Sequence, residues 1–465
     1  MLPSTATNAC MYQPFTPSAS APQSQPERLA RLARSMQRTG QWTPAQAAGR
    51  RWTIGCVSLE ITQRCNLDCT LCYLSDSAEA VRDIPLEDLF RRIDGIAAQY
   101  GPNTDVQISG GDPTLRDRAE LSQIVRYVRA CGLRASLLTN GILLTRDWLR
   151  ALASDGLNDV AFHVDMTLER KGYASESDLN ALRLRYINMA RGLPVSVLFN
   201  TTVFVGNMHE IAGVANFFVQ HNDVVRFASF QLGADTGRGT VPGRGPVAVT
   251  QESVCQALSA GAGVSLNFDA LQGGHRSCNR YAMLVTVGDQ RFDALADGDF
   301  VARVMRDTAD VAFERDQGLR GAWALGKALL GKRHLWRGFM RLGLRAIWRA
   351  RGQWIARGKP GLRVPPVRKI SFFTHNFMDA CNLDAQRIDA CVFMAATVDG
   401  PMAMCAYNAE RDKFLLKPIR LASGDLWQPL AVLPDANGEV RIPLKWLKGK
   451  PRDVAIARRK LESVP

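Results

Sequence analysis

The stretch Val57–Tyr73, VSLEITQRCNLDCTLCY, decides the architecture of this chain, because a short apolar strand passes directly into a loop with three cysteines. Cys65, Cys69 and Cys72 have the spacing C-x3-C-x2-C. Thiolates are typical ligands of soft metal ions and of iron–sulfur clusters, and three of them on one tight loop can hold three corners of a [4Fe–4S] cluster. One iron then has no protein ligand. The loop therefore predicts an iron–sulfur site that a small molecule completes.

Two simpler interpretations of this loop are a structural zinc site and buried, inert cysteines. Structural zinc usually takes four ligands, and no fourth Cys or His stands beside the loop. Three cysteines within eight residues of a polar loop are also poor core material. The pattern favours iron–sulfur ligation over both.

From Val57 onward, strand-like and helix-like stretches alternate. Apolar runs read as buried parallel strands, and amphipathic stretches lie between them. This alternation predicts an α/β fold, a partial (β/α)6 barrel related to the TIM barrel, with its chemistry on the loops at the strand C-termini. The predicted strands are 57–62, 105–109, 134–139, 159–164, 195–204 and 224–231; the predicted helices are 85–99, 117–131, 145–154, 175–191, 207–221 and 250–260.

The cysteine spacing, placed directly after a first strand, closely resembles the signature of the radical S-adenosylmethionine (radical SAM) superfamily. The resemblance covers residues 55–260 and implies that SAM chelates the open iron and is cleaved reductively to a 5′-deoxyadenosyl radical, which abstracts hydrogen from a substrate. It also implies a reductase or a flavodoxin- or ferredoxin-type electron donor. One departure is Leu71, which stands before the last cysteine where many members have an aromatic residue; here Tyr73 follows instead.

Further site candidates stand at the ends of the next strands. The second strand ends in SGGDPTL, where Gly110 and Gly111 allow close backbone approach and Asp112 could accept a hydrogen bond from an ammonium. This stretch resembles the family's Gly-Gly-Glu segment, which binds the SAM amino group. By position, further residues resemble the family's contacts to SAM, with strand caps and turns as the alternative: Thr139, Asn140, His163, Asp165 and Asn200. Gln231 and Arg238 follow the sixth strand as weaker candidates.

Cysteines recur after the β/α pattern ends. The segment CVFMAATVDGPMAMC predicts a β-hairpin around Asp399-Gly400 with a cysteine near each end. Its cysteines, with two more, predict an auxiliary iron–sulfur cluster, with buried free cysteines as the alternative. The predicted ligands are Cys278, Cys381, Cys391 and Cys405, with Cys255 as a substitute for Cys381.

The stretches Thr374–Cys391 and DGPMAMCAYN resemble a subgroup that contains archaeal tetraether lipid synthases, which join lipid tails by radical coupling, and members linked to pterin methylation. The chain departs from these synthases because only Cys10 precedes Cys56, so their additional N-terminal cysteine-rich site is missing.

The 465 residues are organised as a tail and two domains. The Ser-, Pro- and Ala-rich residues 1–26 predict a disordered tail, and 27–50 a helical lead-in. The radical SAM core is predicted over 51–261 and a C-terminal α+β auxiliary domain over 262–465. Eleven cysteines without a disulfide pattern, no long apolar run and no signal-peptide pattern indicate the cytoplasm.

The net charge of +14 is carried by one segment. Fourteen Lys and Arg and no acidic residue lie between Gln317 and Met378. Within 318–360, arginines recur every four residues from Arg333 to Arg349, and tryptophans gather toward another face. A basic amphipathic helix with tryptophans is typical of binding to an anionic membrane surface. Nucleic acid is the rival partner, and a helix that packs its tryptophans on the core is the structural alternative.

The sequence therefore predicts a radical SAM enzyme that acts on a hydrophobic substrate, with a membrane lipid chain as the specific hypothesis and peripheral attachment to the inner face of the membrane. A peptide-modifying or pterin-like cofactor-modifying radical SAM enzyme is the second hypothesis. A non-catalytic iron–sulfur protein that senses redox state or binds RNA is the third.

Overall fold

The computed structural model describes residues 34, 54–67, 69, 71–75, 77–236, 249–308, 318–341, 343–344 and 366–430. The predicted N-terminal tail, most of the predicted lead-in, Arg238 and the arginines after Arg341 in the basic segment lie outside these residues.

Six β/α units form the first part of the described chain, as predicted. The strands are β1 (Cys56–Thr62), β2 (Asp105–Gly110), β3 (Arg134–Thr139), β4 (Asp159–His163), β5 (Ser196–Val203) and β6 (Val225–Leu232). The helices are α1 (Leu86–Tyr100), α2 (Arg118–Ala130), α3 (Arg146–Ser154), α4 (Asn180–Ala190), α5 (Ile211–Gln220) and α6 (Gln251–Ala262).

After α6, fewer helices separate the strands. The remaining elements are β7 (Asn279–Val287), β8 (Gln290–Asp293), α7 (Gly298–Asp307), α8 (Gly318–Leu330), α9 (333–341), β9 (Val367–Asn376), α10 (Ala385–Asp389), β10 (Phe393–Thr397), β11 (Gly400–Ala403), α11 (Met404–Ala409), α12 (Arg411–Leu415), β12 (Ile419–Arg420) and β13 (Leu426–Trp427).

Side chains at the helix starts explain why several helices begin where they do. The Asp117 carboxylate accepts hydrogen bonds from two backbone N–H groups of the first turn of α2, and Thr145 accepts one from Trp148 at the start of α3. Thr250 and Ser253 form a reciprocal capping box at α6. Such caps satisfy backbone donors that a helix leaves unpaired at its N-terminus.

The strands form one sheet in the order β11-β10-β1-β2-β3-β4-β5-β6-β9-β7-β8. Strands β1 to β6 pair in parallel and in sequence order, as the predicted α/β class requires. The later strands β10 and β9 extend this sheet at its two ends by parallel pairing with β1 and β6. The predicted boundary at residue 261 therefore does not separate two sheets, because strands on both sides of it share one hydrogen-bonded ladder.

The two extensions bring the ends of the curved sheet together. Phe373 of β9 and Phe393 of β10 have ring centroids 5.7 Å apart, and the His375 ring lies 4.6 Å from that of Phe393. Strands β9 and β10 are separated by the whole β1–β6 series in the sheet order. Aromatic packing across this seam therefore curls the sheet into a barrel-like shape.

The predicted C-terminal hairpin is present, with a shifted turn. β10 and β11 pair in antiparallel fashion, and Thr397 lies opposite Gly400. The two turn residues are therefore Val398 and Asp399, whereas Gly400, at φ 103°, begins the returning strand. Cys405 lies in α11 and not in a strand.

A buried ion pair fastens the chain after β4 to α4. Arg183 and Glu176 are both fully buried and form a salt bridge. The guanidinium also donates to the carbonyl oxygen of Val164 at 2.9 Å, and the carboxylate accepts from Asn207 Nδ2 at 2.7 Å. The carboxylate and the two terminal guanidinium nitrogens are thus hydrogen-bonded inside the protein, which helps a buried pair to be tolerated, whereas Arg183 Nε has no partner among the described residues.

We expect Arg183→Met to lower the free energy of unfolding by about 3–5 kcal/mol, because the Glu176 carboxylate would remain buried without its partner. Urea unfolding monitored by circular dichroism measures this change. The control is Arg150→Met, which removes an exposed Arg150–Asp147 pair and should change stability by less than about 1 kcal/mol. Equal effects of the two variants would contradict the assignment.

Candidate active site: the cysteine loop and the barrel lumen

The cysteine loop begins where the ends of β1 and β2 touch. Gly111 N donates to Thr62 O at 3.0 Å, and Asp112 N donates to Arg64 O at 2.8 Å. A Cβ on Gly110 would lie 2.0 Å from Thr62 O, and one on Gly111 would lie 2.1 Å from Arg64 O. Both positions therefore require glycine because of the neighbouring backbone, and the approach of a ligand to them stays a prediction.

The three cysteines of the loop are partly buried. Burial, followed by the charges of Cys72 and Cys65, raises the pKa of the Cys69 thiol well above its usual value. Leu67 N lies 3.5 Å from Cys65 Sγ as a hydrogen-bond donor. Within the described residues no group of three or more His, Cys, Asp or Glu side chains is arranged to hold a metal ion.

The donor set of this loop fits an iron–sulfur cluster better than one metal ion. A cluster takes each thiolate at a different iron, so convergence of the three sulfur atoms on one point is not required. The Asn66 amide nitrogen, beside Cys65, is buried and has no hydrogen-bond partner in the described structure. A cluster sulfur or an anionic group at this position would satisfy that donor.

Asp112 is fully buried, and its carboxylate accepts hydrogen bonds from neighbouring groups of the protein. Its carboxylate accepts hydrogen bonds from Thr114 N at 3.0 Å, from Thr139 Oγ1 at 2.9 Å and from Asn140 N at 2.8 Å. Asn140 Nδ2 in turn donates to Asn66 Oδ1 at 2.6 Å. These bonds connect the ends of β2 and β3 to the cysteine loop. The predicted residues Asp112, Thr139 and Asn140 therefore come together, with Asp112 as the internal acceptor.

His163 and Asp165 form a hydrogen-bonded dyad at the end of β4. His163 Nε2 lies 2.7 Å from Asp165 Oδ2 and 3.3 Å from Thr202 Oγ1. Asp165 also accepts from Thr202 N at 2.6 Å and is fully buried. Burial opposes the charge of both groups, but their mutual attraction prevails: it raises the pKa of His163 above 6.5 and lowers the pKa of Asp165 to about 2.

A cavity of about 780 Å³ runs inside the barrel, and we call it the lumen. It touches the cysteine loop at Leu71 and Tyr73, and the predicted residues His163 and Asn200 line it. Alternate residues of the strands face it, as the two-residue period of a strand requires, and many are small: Ser58, Ser136, Ala161, Ser229 and Ser371. The interior of a closed eight-stranded barrel is filled by larger side chains, so these small residues explain why the lumen is open.

A buried ion pair that no sequence pattern predicts stabilises the cysteine loop. Arg411 of α12 forms a buried salt bridge with Glu60 of β1, and Tyr407 OH donates to the same carboxylate at 2.9 Å. The guanidinium lies 4.7 Å from the centre of the Tyr73 ring, and Tyr73 OH donates to Gly110 O at 2.9 Å. The C-terminal segment thus contacts the residue that follows Cys72.

Three of the four cysteines predicted for an auxiliary cluster lie near one another. Burial, followed by the charge of Cys405, raises the pKa of the Cys391 thiol, and the charge of Cys278 contributes. Burial raises the pKa of Cys405 to about 11, and Arg387 Nε donates to Cys278 Sγ at 3.1 Å. Cys381 is disulfide-bonded and is not a free thiol.

The alternative ligand Cys255 belongs to the hydrophobic core of the barrel. It stands on α6, where its Sγ lies 4.0 Å from Thr374 Oγ1. Burial raises the pKa of this thiol to about 11, as is usual for a cysteine that packs as a small apolar side chain.

The described part of the basic segment exposes its aromatic residues. Helix α9 contacts α7 through Gly338, where a Cβ would lie 2.0 Å from the Phe300 ring, and Leu335 of the same helix is fully buried. Trp323 is 72% exposed and Trp336 44% exposed. The two described tryptophans of the segment therefore do not pack on the core as the structural alternative required. Among the described residues, none of the helices is long and apolar enough to cross a bilayer.

The structure places the three-cysteine loop at the C-terminal end of the first strand of a parallel α/β barrel, as the predicted radical SAM core requires. Comparison with protein families agrees: residues 59–218 match the model described as the Radical SAM superfamily. The predicted radical SAM domain is thereby confirmed for this part of the chain, and the domain is of an enzyme type.

Curated relatives have different named activities. The 7,8-dihydro-6-hydroxymethylpterin dimethyltransferase of Methanocaldococcus jannaschii is 29% identical over 39% of this chain and 37% of its own length. The PqqA peptide cyclase of Rhodopseudomonas palustris is 36% identical over 34% of this chain and 42% of its own length. The chain thus spans less than half the length of these two relatives.

Among solved structures, native anSMEcpe with bound AdoMet matches with a TM-score of 0.32 and 19% identity, over 43% of this chain and 59% of that one. The radical SAM methyltransferase TsrM of Kitasatospora setae, with cobalamin and a [4Fe–4S] cluster bound, matches with a TM-score of 0.29 and 18% identity, over 38% and 37%.

We expect Asp165→Asn to lower the pKa of His163 below 6.5, because only the weaker attraction of Glu176 would then oppose burial and the nearby Arg170. In the native protein the raised pKa of His163 contributes stability below about pH 6.5 that is lost as the pH rises through the raised value. The lowered pKa of Asp165 contributes stability above about pH 4 that is lost as the pH falls toward 2.

An NMR titration of the histidine Cε1–H signals measures the pKa of His163, with His163→Gln to assign its resonance. His209→Gln, a change at an exposed side chain, should leave the His163 titration unchanged. An unchanged pKa of His163 in Asp165→Asn would show that the dyad does not control its charge.

Proposed function

We propose that this protein is a radical SAM enzyme that cleaves SAM reductively and abstracts hydrogen from a hydrophobic substrate, with a membrane lipid chain as the specific hypothesis. One observation carries the proposal: the loop with the thiols of Cys65, Cys69 and Cys72 contributes Leu71 and Tyr73 to the lining of a lumen of about 780 Å³, and that lining is mostly apolar. A [4Fe–4S] cluster held by these thiolates would supply the electron that cleaves SAM.

The residues of this chain would position SAM and exclude water from it. Gly110, Gly111 and Asp112 shape the wall of the cysteine loop, with Asp112 acting through Thr139 and Asn140. The unpaired Asn66 amide, His163 and Asn200 remain as groups that can contact SAM or substrate directly. Because Asp165 is fully buried, it would act by holding the His163 ring in place.

We further propose an auxiliary iron–sulfur cluster at Cys278, Cys391 and Cys405, in which each thiolate would bind a different iron. Their raised thiol pKa values, caused first by burial, mean that ligation would have to displace protons. Cys381 could join them as a fourth ligand only after its disulfide is reduced. An electron donor of flavodoxin or ferredoxin type would serve the first cluster, and the second would lie between the barrel seam and α10.

The basic segment supports attachment to an anionic membrane surface. Trp323, Trp336 and Met340 are exposed beside Arg333, Arg337 and Arg341. Tryptophan at the headgroup level and Arg near an anionic surface both favour docking. A peripheral position on the inner face of the membrane would bring the lumen close to lipid chains, whereas RNA bases could stack on the tryptophans but would leave Met340 without a partner.

A second candidate function is the modification of a peptide or of a pterin-like cofactor. The named activities of the relatives favour it, since one is a pterin dimethyltransferase and another a peptide cyclase. A polar substrate of this kind would contact the polar part of the lumen lining and would not require the membrane.

We expect Cys69→Ala to reduce the formation of 5′-deoxyadenosine from SAM to background, because the first cluster would lose one of three protein ligands. The assay uses anaerobically reconstituted protein, dithionite and SAM, with iron counted in parallel. Cys131→Ala is the matched control, since Cys131 contacts Asp94 at the surface. Undiminished cleavage of SAM by Cys69→Ala would contradict the assignment of the cysteine loop. A fall in iron content from about eight per wild-type chain to about four in Cys391→Ala would support the second cluster.

We expect phosphatidylglycerol vesicles made with membrane lipid extract to increase 5′-deoxyadenosine formation severalfold, because docking presents substrate to the lumen. Changing Arg333, Arg337 and Arg341 to Gln should weaken vesicle binding by about 100-fold, at about 1 kcal/mol per arginine. The control changes Arg126, Arg150 and Arg191, which are paired with carboxylates. If lipid does not change the rate of 5′-deoxyadenosine formation but a peptide or a pterin increases it, the modification of a peptide or a cofactor is favoured.

A further inference from the structure

The lumen is long and differs at its two ends. Ser196 and Thr202 of β5 both line it, and six residues of strand span about 20 Å. One end touches Leu71 and Tyr73 of the cysteine loop. The other end lies at the N-terminal ends of the strands and is lined by charged residues, which are Asp105, Arg134, Asp159, Arg226 and Lys369.

Most of these charges are already paired. Arg134 Nε lies 2.9 Å from Asp105 Oδ1, and its Nη2 lies 3.1 Å from Asp159 Oδ2. One guanidinium therefore binds both carboxylates. Arg226 differs: the one hydrogen bond that it makes to the described residues is from Nη1 to Asn222 O, at 2.9 Å.

A β-bulge aims Arg226 into the lumen. Val197 of β5 lies opposite Val225, but the next residue, Leu198, lies opposite Phe227, so that Arg226 is the extra residue of β6. Both Arg226 and Phe227 line the lumen, which regular alternation does not allow for neighbouring residues. Bulges of this kind re-aim a side chain and are common near active sites.

The surroundings of Arg226 favour an anion. Burial and the charge of Arg368 both lower the pKa of Arg226. The positive charge of Arg226 is therefore disfavoured at this position, and an anionic partner would stabilise it. No carboxylate of the described residues forms a salt bridge with Arg226. Asp105 and Asp159 line the same end of the lumen, but both form salt bridges with Arg134. Between Arg226 and the cysteine loop the lining includes Leu138, Leu198 and Phe373, which suit an apolar chain.

We propose that the lumen binds an elongated substrate with an apolar body and an anionic end, and that Arg226 binds the anionic end about 20 Å from the cysteine loop. This inference rests on the proposed function, because it identifies the substrate class for the same site. A carboxylate or a phosphate would satisfy the geometry equally, since a guanidinium binds either one with two parallel hydrogen bonds. The reacting carbon would then lie toward the thiol end of the lumen.

The test measures the binding of three probes to the full chain by isothermal titration calorimetry: dodecanoate, dodecyl phosphate and the neutral dodecanol. We expect at least one of the two anions to bind at least tenfold more tightly than dodecanol, and the preferred anion identifies the head group. Arg226→Gln should remove that preference while leaving dodecanol binding unchanged, and Arg226→Lys should keep part of it. Arg126→Gln, at an exposed arginine, should change none of the affinities.

Wild-type protein that binds dodecanol as tightly as both anions would overturn the proposal, as would Arg226→Gln that retains the full preference. These results need no cluster and are therefore independent of the enzyme assay. If the anion site is confirmed but no 5′-deoxyadenosine forms, the proposed function fails and the site stands. If 5′-deoxyadenosine forms but the probes show no anion preference, the substrate class is wrong and the function stands.

Discussion

The contact between the ends of β1 and β2 is the constraint on which the site depends. The backbone of Gly110 and Gly111 passes so close to Thr62 and Arg64 that no side chain fits between them. Two hydrogen bonds hold this contact, from Gly111 N to Thr62 O and from Asp112 N to Arg64 O. The direction in which the chain leaves β1, and with it the position of Cys65, is therefore set by the second strand.

A second constraint comes from the other end of the chain. Arg411 reaches Glu60 across 351 residues of sequence and contacts the Tyr73 ring with its guanidinium. Because removing one partner of a buried ion pair leaves an uncompensated charge, the C-terminal segment and the first strand must fold together. The same interdependence appears in the sheet, where β10 pairs with β1 and β9 with β6. The C-terminal part therefore completes the barrel instead of standing beside it.

The six β/α units and the cysteine loop could be predicted from the sequence because both depend on local patterns. Apolar runs of strand length and amphipathic stretches report burial directly, and the cysteine spacing reports a ligand set. The pairing of β9 and β10 with the sheet ends was not predictable, because register between strands far apart in sequence leaves no local signal. Asp112 shows the same limit: the sequence singles out its position, but its hydrogen bonds to Thr139 and Asn140 depend on how β2 and β3 lie side by side.

Arg226 shows why a charged residue within a strand is hard to interpret from sequence. In VRFASFQL an arginine between apolar residues looks like an ordinary outward-facing position of a strand. The bulge, which exists only in the pairing of β5 with β6, turns it inward. An apolar side chain would fill that end of the lumen at lower cost, since a partly buried cation without a salt bridge is unfavourable. A cation that the fold directs into an open, mostly apolar lumen is best explained by a partner that carries the opposite charge.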